Sequence, residues 1–457
     1  MQNFAGKRVH FIGIGGSGMS GLARVALSDG ISVSGSDAKD SSVIAALRAL
    51  GAKIFTTHDA AHVKNVDVVV YSTAISLSNP ELALAIERSI PILTRAQALA
   101  SLMHGSRSIA VAGTHGKTTT SSMMTVALQG CGLDPSFAIG GTLTASGANA
   151  HRGTGDLFVV EADESDGSFI EYKPLAAIVT NIEHDHVDFF ATPEAVTEAF
   201  DSFVATISDK GALVYCSDDA GSNRLAKLHA SCEKISYGES EDSDLHIDQI
   251  DLKAMSSSAR VIWKGRTVGT LELQVPGHHN LLNAASCLAM GLWLEAPIHQ
   301  LLQGLHSFRG ASRRFELTAT EHGIRIVDDY GHHPTEIKVT LVAARRYAGD
   351  GRVLVLFQPH RYSRTQAFMD EFAIALDLAD DVTLLEIYAA SEKPIHGISS
   401  ALIAEKMKNG RYLPNFAEAS ERVIAMAKPG DVIITLGAGD VNSLAPIIAE
   451  GLQRRFA

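Results

Sequence analysis

Short apolar runs rich in β-branched residues alternate with stretches of helical periodicity along almost the whole chain. The runs are RVHFIGIGG, ISVSGSD, VDVVVYSTAI, SIAVAGTHG, LFVVEADES, AAIVTNIEHD, RIVDDYGHHP, RVLVLFQPH, DVTLLEIY and DVIITLGAG. Strands separated by helical patterns build parallel sheets through crossover connections, so the predicted fold class is α/β with mostly parallel sheets. Many of the runs end in polar, Gly-rich or His-rich residues. Open α/β sheets gather their ligands at such strand ends. Residues 217–275 are more polar and alternate, which predicts an antiparallel excursion.

At about 100 to 200 residues per domain, 457 residues leave room for roughly three domains. Patterning breaks at MHGSRS and again at FRGASRRFE, which predicts domains over 1–105, 106–311 and 312–457. The hydrophobic fraction of 46% and charged fraction of 20% are those of a globular chain, not a disordered or membrane-embedded one. No uncharged apolar stretch reaches a membrane span, and glycines break the apolar run that follows Lys7 and Arg8, unlike a signal peptide. Cys131, Cys216, Cys232 and Cys287 show no paired spacing, which argues against a disulfide framework or zinc site and for a reducing cytoplasm. With 39 basic and 51 acidic residues and no long basic run, the net charge of −12 argues against a nucleic-acid partner, as the lack of a span-length apolar stretch argues against a membrane. Anions must then be met at local sites, and a monomer or weak homodimer is expected.

Several segments supply such sites. SIAVAGTHGKTTTSSMM reads as a strand, a glycine turn and a helix start. The backbone of Gly113, Thr114, His115 and Gly116 can wrap phosphate oxygens, Lys117 can neutralise their charge, and Thr118 can offer a hydroxyl to magnesium. The first glycine of the commoner phosphate-loop pattern is Val111 here, so the motif is the shorter G-T-H-G-K-T. Divalent metal needs carboxylates nearby. Two strand ends offer them: Glu161, Asp163, Glu164 and Asp166 in one, and Glu183, Asp185 and Asp188 with His184 and His186 in the other.

Gly13, Gly15 and Gly18 form a G-x-G-x-x-G turn that opens a helix, and Asp37 ends the next strand run. This spacing suits a dinucleotide, but the same geometry holds any pyrophosphate, and a second nucleotide site makes a nucleotide-linked substrate the simpler reading. An NAD-dependent dehydrogenase is the rival drawn from this turn alone; a non-catalytic nucleotide switch is the rival drawn from the phosphate turn. His279, Asn280 and Asn283 start a further helix, where they could meet an adenine edge or simply cap and pack. Downstream, Arg313, Arg314, Asp328, Asp329, Tyr330, His332, His333, His360, Arg361 and Arg364 gather at strand ends in a pattern that suits anion binding.

Taken in order, GIGGSGMSGLA, GSD, STAISLSNPE, AGTHGKTTT, EADESD, TNIEHDH, PGHHNLLNA, RRFE, DDYGHHPTE, QPHRYSRT and LGAGD cover nearly the whole chain. This series resembles the Mur ligase family, and most closely its alanine-adding branch. The resemblance implies a Rossmann-like N-terminal domain, a central ATPase-like domain with a phosphate loop and mostly parallel sheet, and a C-terminal Rossmann-like α/β domain. It implies ATP and Mg2+ as cofactors, and UDP-N-acetylmuramate and L-alanine as partners joined through an acyl phosphate. It places Gly15, Gly16, Ser17, Gly18, Met19, Ser36, Asp37, Ser72, Ala74 and Ser76 at the UDP-sugar. Gly113, Thr114, His115, Gly116, Lys117, Thr118, Thr119, His279, Asn283, Arg314 and Asp329 fall to ATP, and Thr118, Glu161 and His186 to the metal. His360, Arg361 and Arg364 fall to the amino acid, and Lys117, His186, Asp329 and His332 to catalysis. Some family members carry a carbamylated lysine beyond the DH pair; TEAFDSF stands there in this chain, as the alanine-adding branch implies. A tripeptide-recycling branch is the alternative within the family, and QPHRYSRT is what favours alanine.

Overall fold

The computed structural model describes residues 4–72, 75–228 and 231–457. They fall into two compact units, the first comprising Met1–Ile182, Thr197–Tyr237 and Ser286–Gly304, the second Glu183–Val196, Gly238–Ala285 and Leu305–Ala457. Each of the ten apolar runs supplies a strand.

The first sheet of unit 1 contains β1 (Arg8–Ile12), β2 (Ser32–Ser36), β3 (Lys53–Phe55), β4 (Val68–Tyr71) and β5 (Ile92–Thr94). Its order is β3-β2-β1-β4-β5, and every pairing is parallel. Helix Ser17–Ser28 follows the glycine turn after β1 and buries Leu22, Ala23, Val25 and Ala26. The second sheet holds β6 (Arg107–Ala112), β7 (Ser136–Ala138), β8 (Ala150–His151), β9 (Leu157–Glu161), β10 (Ala176–Val179), β11 (Ala212–Cys216) and β12 (Glu233–Gly238). These run in the order β12-β11-β10-β6-β9-β7-β8, parallel except for the β7/β8 pair. Because β9 and β10 flank β6, the chain ends of three adjacent strands meet beside helix Lys117–Gly130. Strands buried on both faces need continuous apolar sequence, and SIAVA, LFVV and AAIV provide it.

In unit 2, β13 (Leu245–Leu252), β14 (Ser257–Trp263) and β15 (Arg266–Leu273) form the antiparallel meander expected of the alternating segment. The last sheet comprises β16 (Glu316–Glu321), β17 (Ile324–Asp329), β18 (Val353–Phe357), β19 (Asp381–Leu384), β20 (Gly410–Tyr412) and β21 (Val432–Leu436). Its order is β16-β17-β21-β18-β19-β20, and only β16/β17 is antiparallel. Helices cover both faces, giving two apolar layers, one around Phe357 and Phe372 and the other around Leu354 and Ile433.

One buried polar cluster fixes the first sheet. Glu81 lies in the first turn of helix Pro80–Glu87 and is fully buried, yet it accepts a hydrogen bond from Ser36 Oγ at 2.6 Å and stands 2.7 Å from His62 Nδ1 and 3.0 Å from His58 Nδ1. His10 Nε2 lies 3.4 Å away. Burial works to raise the Glu81 carboxyl, but the histidines and Ser36 outweigh it and bring the group from 4.5 down to about 2. The stabilisation is therefore complete above about pH 4.5 and fades as pH falls towards 2. Glu81→Gln should lower stability at pH 7 by about 1.5 to 3 kcal/mol. In thermal melts across pH, the gap to wild type should shrink below pH 4.5; a constant gap would contradict the charged role.

Candidate active site

The G-T-H-G-K-T turn joins β6 to helix Lys117–Gly130, with Gly113 at φ +135° and Gly116 at +82°. A Cβ at Gly113 would come within 2.0 Å of Thr180 Oγ1, so both conformation and space demand glycine. The end of β10 clamps the turn. Asn181 Oδ1 accepts from the His115 N–H at 2.8 Å, while Asn181 Nδ2 and Thr180 Oγ1 donate to the His115 carbonyl at 3.1 and 2.6 Å. The Thr114 N–H donates to the Asn181 carbonyl at 3.0 Å.

Lys117 Nζ is threaded back through the turn. It donates to the Gly113 and Thr114 carbonyls at 2.8 and 3.0 Å and pairs with Glu164 at 2.8 to 2.9 Å. Burial would neutralise such an ammonium, but Glu164, Asp163 and Glu161 hold it protonated, above the ordinary lysine range. Thr118 Oγ1 donates to Glu161 Oε1 at 3.0 Å, and Glu161 Oε2 accepts from the Gly140 N–H at 2.7 Å. Burial foremost pushes the Glu161 carboxyl up. A hydroxyl and carboxylates are hard oxygen donors, so this corner fits Mg2+ in its donor chemistry. Thr119 is the next helical residue and is partly exposed.

At the N-terminal turn, the Gly15 N–H donates to Asp37 Oδ2 at 2.9 Å, and the Gly13 and Ile14 N–H groups donate to the Ser36 carbonyl at 2.8 and 3.1 Å. Gly16 and Ser17 are exposed and Gly18 is partly so, leaving the helix start open to a ligand. Met19 points into the core at 2% exposure, so only its backbone faces the turn. Ser36 is fully buried, with its hydroxyl engaged by Glu81 and His58. The Ser72 N–H donates to the Ile12 carbonyl at 3.3 Å, and Ser76 bonds Ser78 at 2.8 Å. Ala74 lies outside the described residues.

The remaining candidates belong to unit 2. Arg364, 2% exposed, forms a buried pair with Asp185 at 2.8 Å and approaches His360 Nδ1 at 3.4 Å. Although burial alone would raise Asp185, Arg364 foremost drives its carboxyl far below the ordinary range. Arg361 pairs with Asp188, and Glu392 stands 3.7 Å from it. His360 stacks on Tyr388 with ring centres 5.5 Å apart. Burial pushes His360 down to about 4 and His332 to about 3, leaving both imidazoles neutral at pH 7. The cluster that looks cationic in sequence is therefore charge-balanced: its arginines are paired and its histidines uncharged.

His186 follows Asp185 at φ +51° and donates its N–H to Asp185 Oδ1 at 2.6 Å. Asp329, 5% exposed at the end of β17, accepts from the Gly331 and Phe315 N–H groups, both at 2.8 Å, and from Thr340 Oγ1 at 3.1 Å. Burial dominates and raises Asp329 to about 6. Arg313 and Arg314 both lie over the Tyr330 ring, 5.0 and 5.1 Å from its centre. His279 and Asn283 occupy the first turns of helix His278–Trp293, and burial lowers His279 to about 4. Glu164, Asn181 and Asp185 matter more in the geometry than single motifs foretell. Asn181 lies within TNIEHDH, but neither the phosphate nor the metal reading of the sequence singles it out.

A strand-end phosphate turn with a lysine, a threonine, the buried carboxylate of Glu164 and the half-buried one of Glu161 is the machinery of a nucleotide-dependent enzyme. Three family profiles match the chain: "Mur ligase family, catalytic domain" over residues 8–107, "Mur ligase middle domain" over 111–291, and "Mur ligase, glutamate ligase domain" over 313–439. The chain belongs to the Mur ligase family, whose members form amide bonds with ATP. Among its relatives, the UDP-N-acetylmuramate–L-alanine ligase of Paenarthrobacter aurescens is 50% identical over 97% of each chain. That of Acidothermus cellulolyticus is 48% identical over 98% of this chain and 96% of its own. The crystal structure of the UDP-N-acetylmuramate–alanine ligase of Thermotoga maritima superposes with a TM-score of 0.82 at 28% identity, covering 98% of this chain and all (100%) of that one. A murein peptide ligase of Psychrobacter arcticus, 24% identical with a TM-score of 0.72 over 98% of this chain and 99% of its own, shares the fold.

Lys117→Ala should reduce ATP turnover at least about 10²-fold, the scale of losing one preorganised electrostatic partner. A circular dichroism melt reports whether the fold survives. Near wild-type turnover in a folded variant would remove Lys117 from the phosphate site.

Proposed function

We propose that the chain joins L-alanine to the carboxylate of UDP-N-acetylmuramate at the expense of ATP, a step of peptidoglycan precursor synthesis in the cytoplasm. The reading rests first on relatives of that name at 48 to 50% identity over nearly their full lengths. Residues 1–105 are assigned to the UDP-sugar, 106–311 to ATP and 312–457 to the amino acid. Among the described residues no helix is long and apolar enough to cross a membrane.

The carboxylate and the γ-phosphate are both anions, so their approach must be screened. Lys117 supplies one fixed positive charge in a low-dielectric turn. Thr118 and Glu161 would hold Mg2+, which supplies further neutralisation of the phosphate charge. A carboxylate oxygen attacks the γ-phosphorus, the bond to the ADP oxygen breaks, and an acyl phosphate results. The amine of alanine then attacks the acyl carbon; the carbon–oxygen bond to phosphate breaks, and the amine gives up its proton. His332 and His360, neutral at pH 7, are too acidic as imidazolium to hold a proton for long, and His360 Nδ1 already accepts from Arg364. Asp329 titrates near 6 and is the better-matched group. His279 and Asn283 are assigned to adenine, Arg314 to ATP, and His360, Arg361 and Arg364 to the amino-acid carboxylate.

Phosphate release with UDP-N-acetylmuramate, ATP and magnesium should be fastest with L-alanine among alanine, glycine, serine and an alanyl tripeptide. Preference for the tripeptide would move the chain to the recycling branch. Because Asp329 gains its charge as pH rises through about 6, kcat/KM should fall below that pH. Asp329→Asn should lose about 10²-fold in rate and flatten the acid limb; an unchanged limb would assign it to another group.

A further inference from the structure

Arg95 lies in no motif, yet its placement is unusual. The capping box between Thr94 and Gln97 starts helix Arg95–Leu102 and fixes Arg95 as its first residue. Gln97 Nε2 donates to Glu171 Oε1 at 3.4 Å, tying that helix to the 3-10 turn Ser168–Tyr172. The Arg95 stem lies along the N-terminal turn of helix Ser17–Ser28. A Cβ at Gly18 would come 2.9 Å from Arg95 Cδ and 3.6 Å from its Nε and Nη1. Glycine at position 18 thus makes room for this arginine as well as for the turn.

The guanidinium makes no hydrogen bond or ion pair among the described residues. Its charge is nonetheless maintained: burial opposes it, but Tyr172, Asp163, Asp166 and Glu161 hold it above the ordinary arginine value. Tyr172, 2% exposed, has a hydroxyl that also lacks any hydrogen-bond partner. The Tyr172 hydroxyl is thus a buried donor left unsatisfied, which is costly in a folded protein, and the half-buried Arg95 guanidinium lies within its electrostatic reach. A planar fork of five donors is suited to a carboxylate or phosphate.

We propose that Arg95 and Tyr172 form an anion subsite for the UDP-sugar substrate, lying between the open helix start at Ser17 and Gly18 and the carboxylate-bearing end of β9. The subsite rests on the functional reading above and extends it to residues outside the family motifs. Two acidic groups of UDP-N-acetylmuramate share the chemistry it recognises, the pyrophosphate and the lactyl carboxylate. In either case the arginine offsets the negative field of Glu161, Asp163 and Asp166, which would otherwise repel an acidic substrate.

Isothermal titration of UDP-N-acetylmuramate and UDP-N-acetylglucosamine into wild type, Arg95→Gln, Arg95→Lys and Tyr172→Phe tests this. Arg95→Gln should weaken UDP-N-acetylmuramate roughly 10- to 100-fold and Tyr172→Phe roughly 3- to 10-fold. Arg95→Lys should recover part of the loss, while ATP affinity and melting temperature stay at wild-type values. An equal loss for UDP-N-acetylglucosamine, which lacks the lactyl carboxylate, places the pyrophosphate in the subsite; a loss confined to the muramate places the carboxylate there. Wild-type affinity for both sugars in folded Arg95→Gln, or in Arg95→Lys and Tyr172→Phe should the glutamine variant not fold, overturns the subsite. Failure of the wild-type protein to bind UDP-N-acetylmuramate would instead overturn the functional reading.

Discussion

A single ammonium group, Lys117 Nζ, organises the centre of unit 1. It closes the phosphate turn on itself through two carbonyls and meets the buried carboxylate of Glu164. A buried charge of this kind is tolerated only because every neighbour is arranged around it. The glycines at 113 and 116 give the turn its left-handed geometry, Asn181 and Thr180 brace it from β10, and Glu161 is held by Thr118 and Gly140. Glu164 has a definite consequence for binding: a phosphate approaching Lys117 competes with, or shares, a partner already in place.

Unit 2 solves a different problem. Its arginines are offset by acidic residues, Arg364 by Asp185 and Arg361 by Asp188, while burial strips His332 and His360 of charge. Truncating either partner of the Arg364–Asp185 pair would strand the other in a dry environment, so these residues shape the unit as well as its chemistry. Between them these groups carry little net charge. The second acidic motif thus stands with the arginines of unit 2 and the first with Lys117, although in sequence the two look interchangeable.

The strands that carry the turns were legible because strands buried on both faces need long apolar runs. The short ones were not: β3, β5, β7 and β20 span three residues each, too few to display a period. The polar β16 owes its place to pairing with β17, not to its own composition. The phosphate turn could be read because its chemistry is local, a lysine and threonines within one helical turn. The Arg364–Asp185 pair joins residues 179 apart, and only the tertiary fold brings them together. Neutral histidines and the low carboxyl of Glu81 follow from burial, which composition does not specify. Arg95 was invisible for the same reason, since its significance lies in what surrounds it and in the partners it lacks.

The central claim is that fixed positive charge in the phosphate turn lets one anion attack another, so that the substrate carboxylate takes the γ-phosphoryl group. Turnover of UDP-N-acetylmuramate labelled with 18O in both carboxylate oxygens, followed by mass spectrometry of the released phosphate, tests it directly. Attack by the carboxylate predicts one labelled oxygen in each phosphate. Phosphate free of label would show that the carboxylate never bonded to phosphorus and would contradict the account.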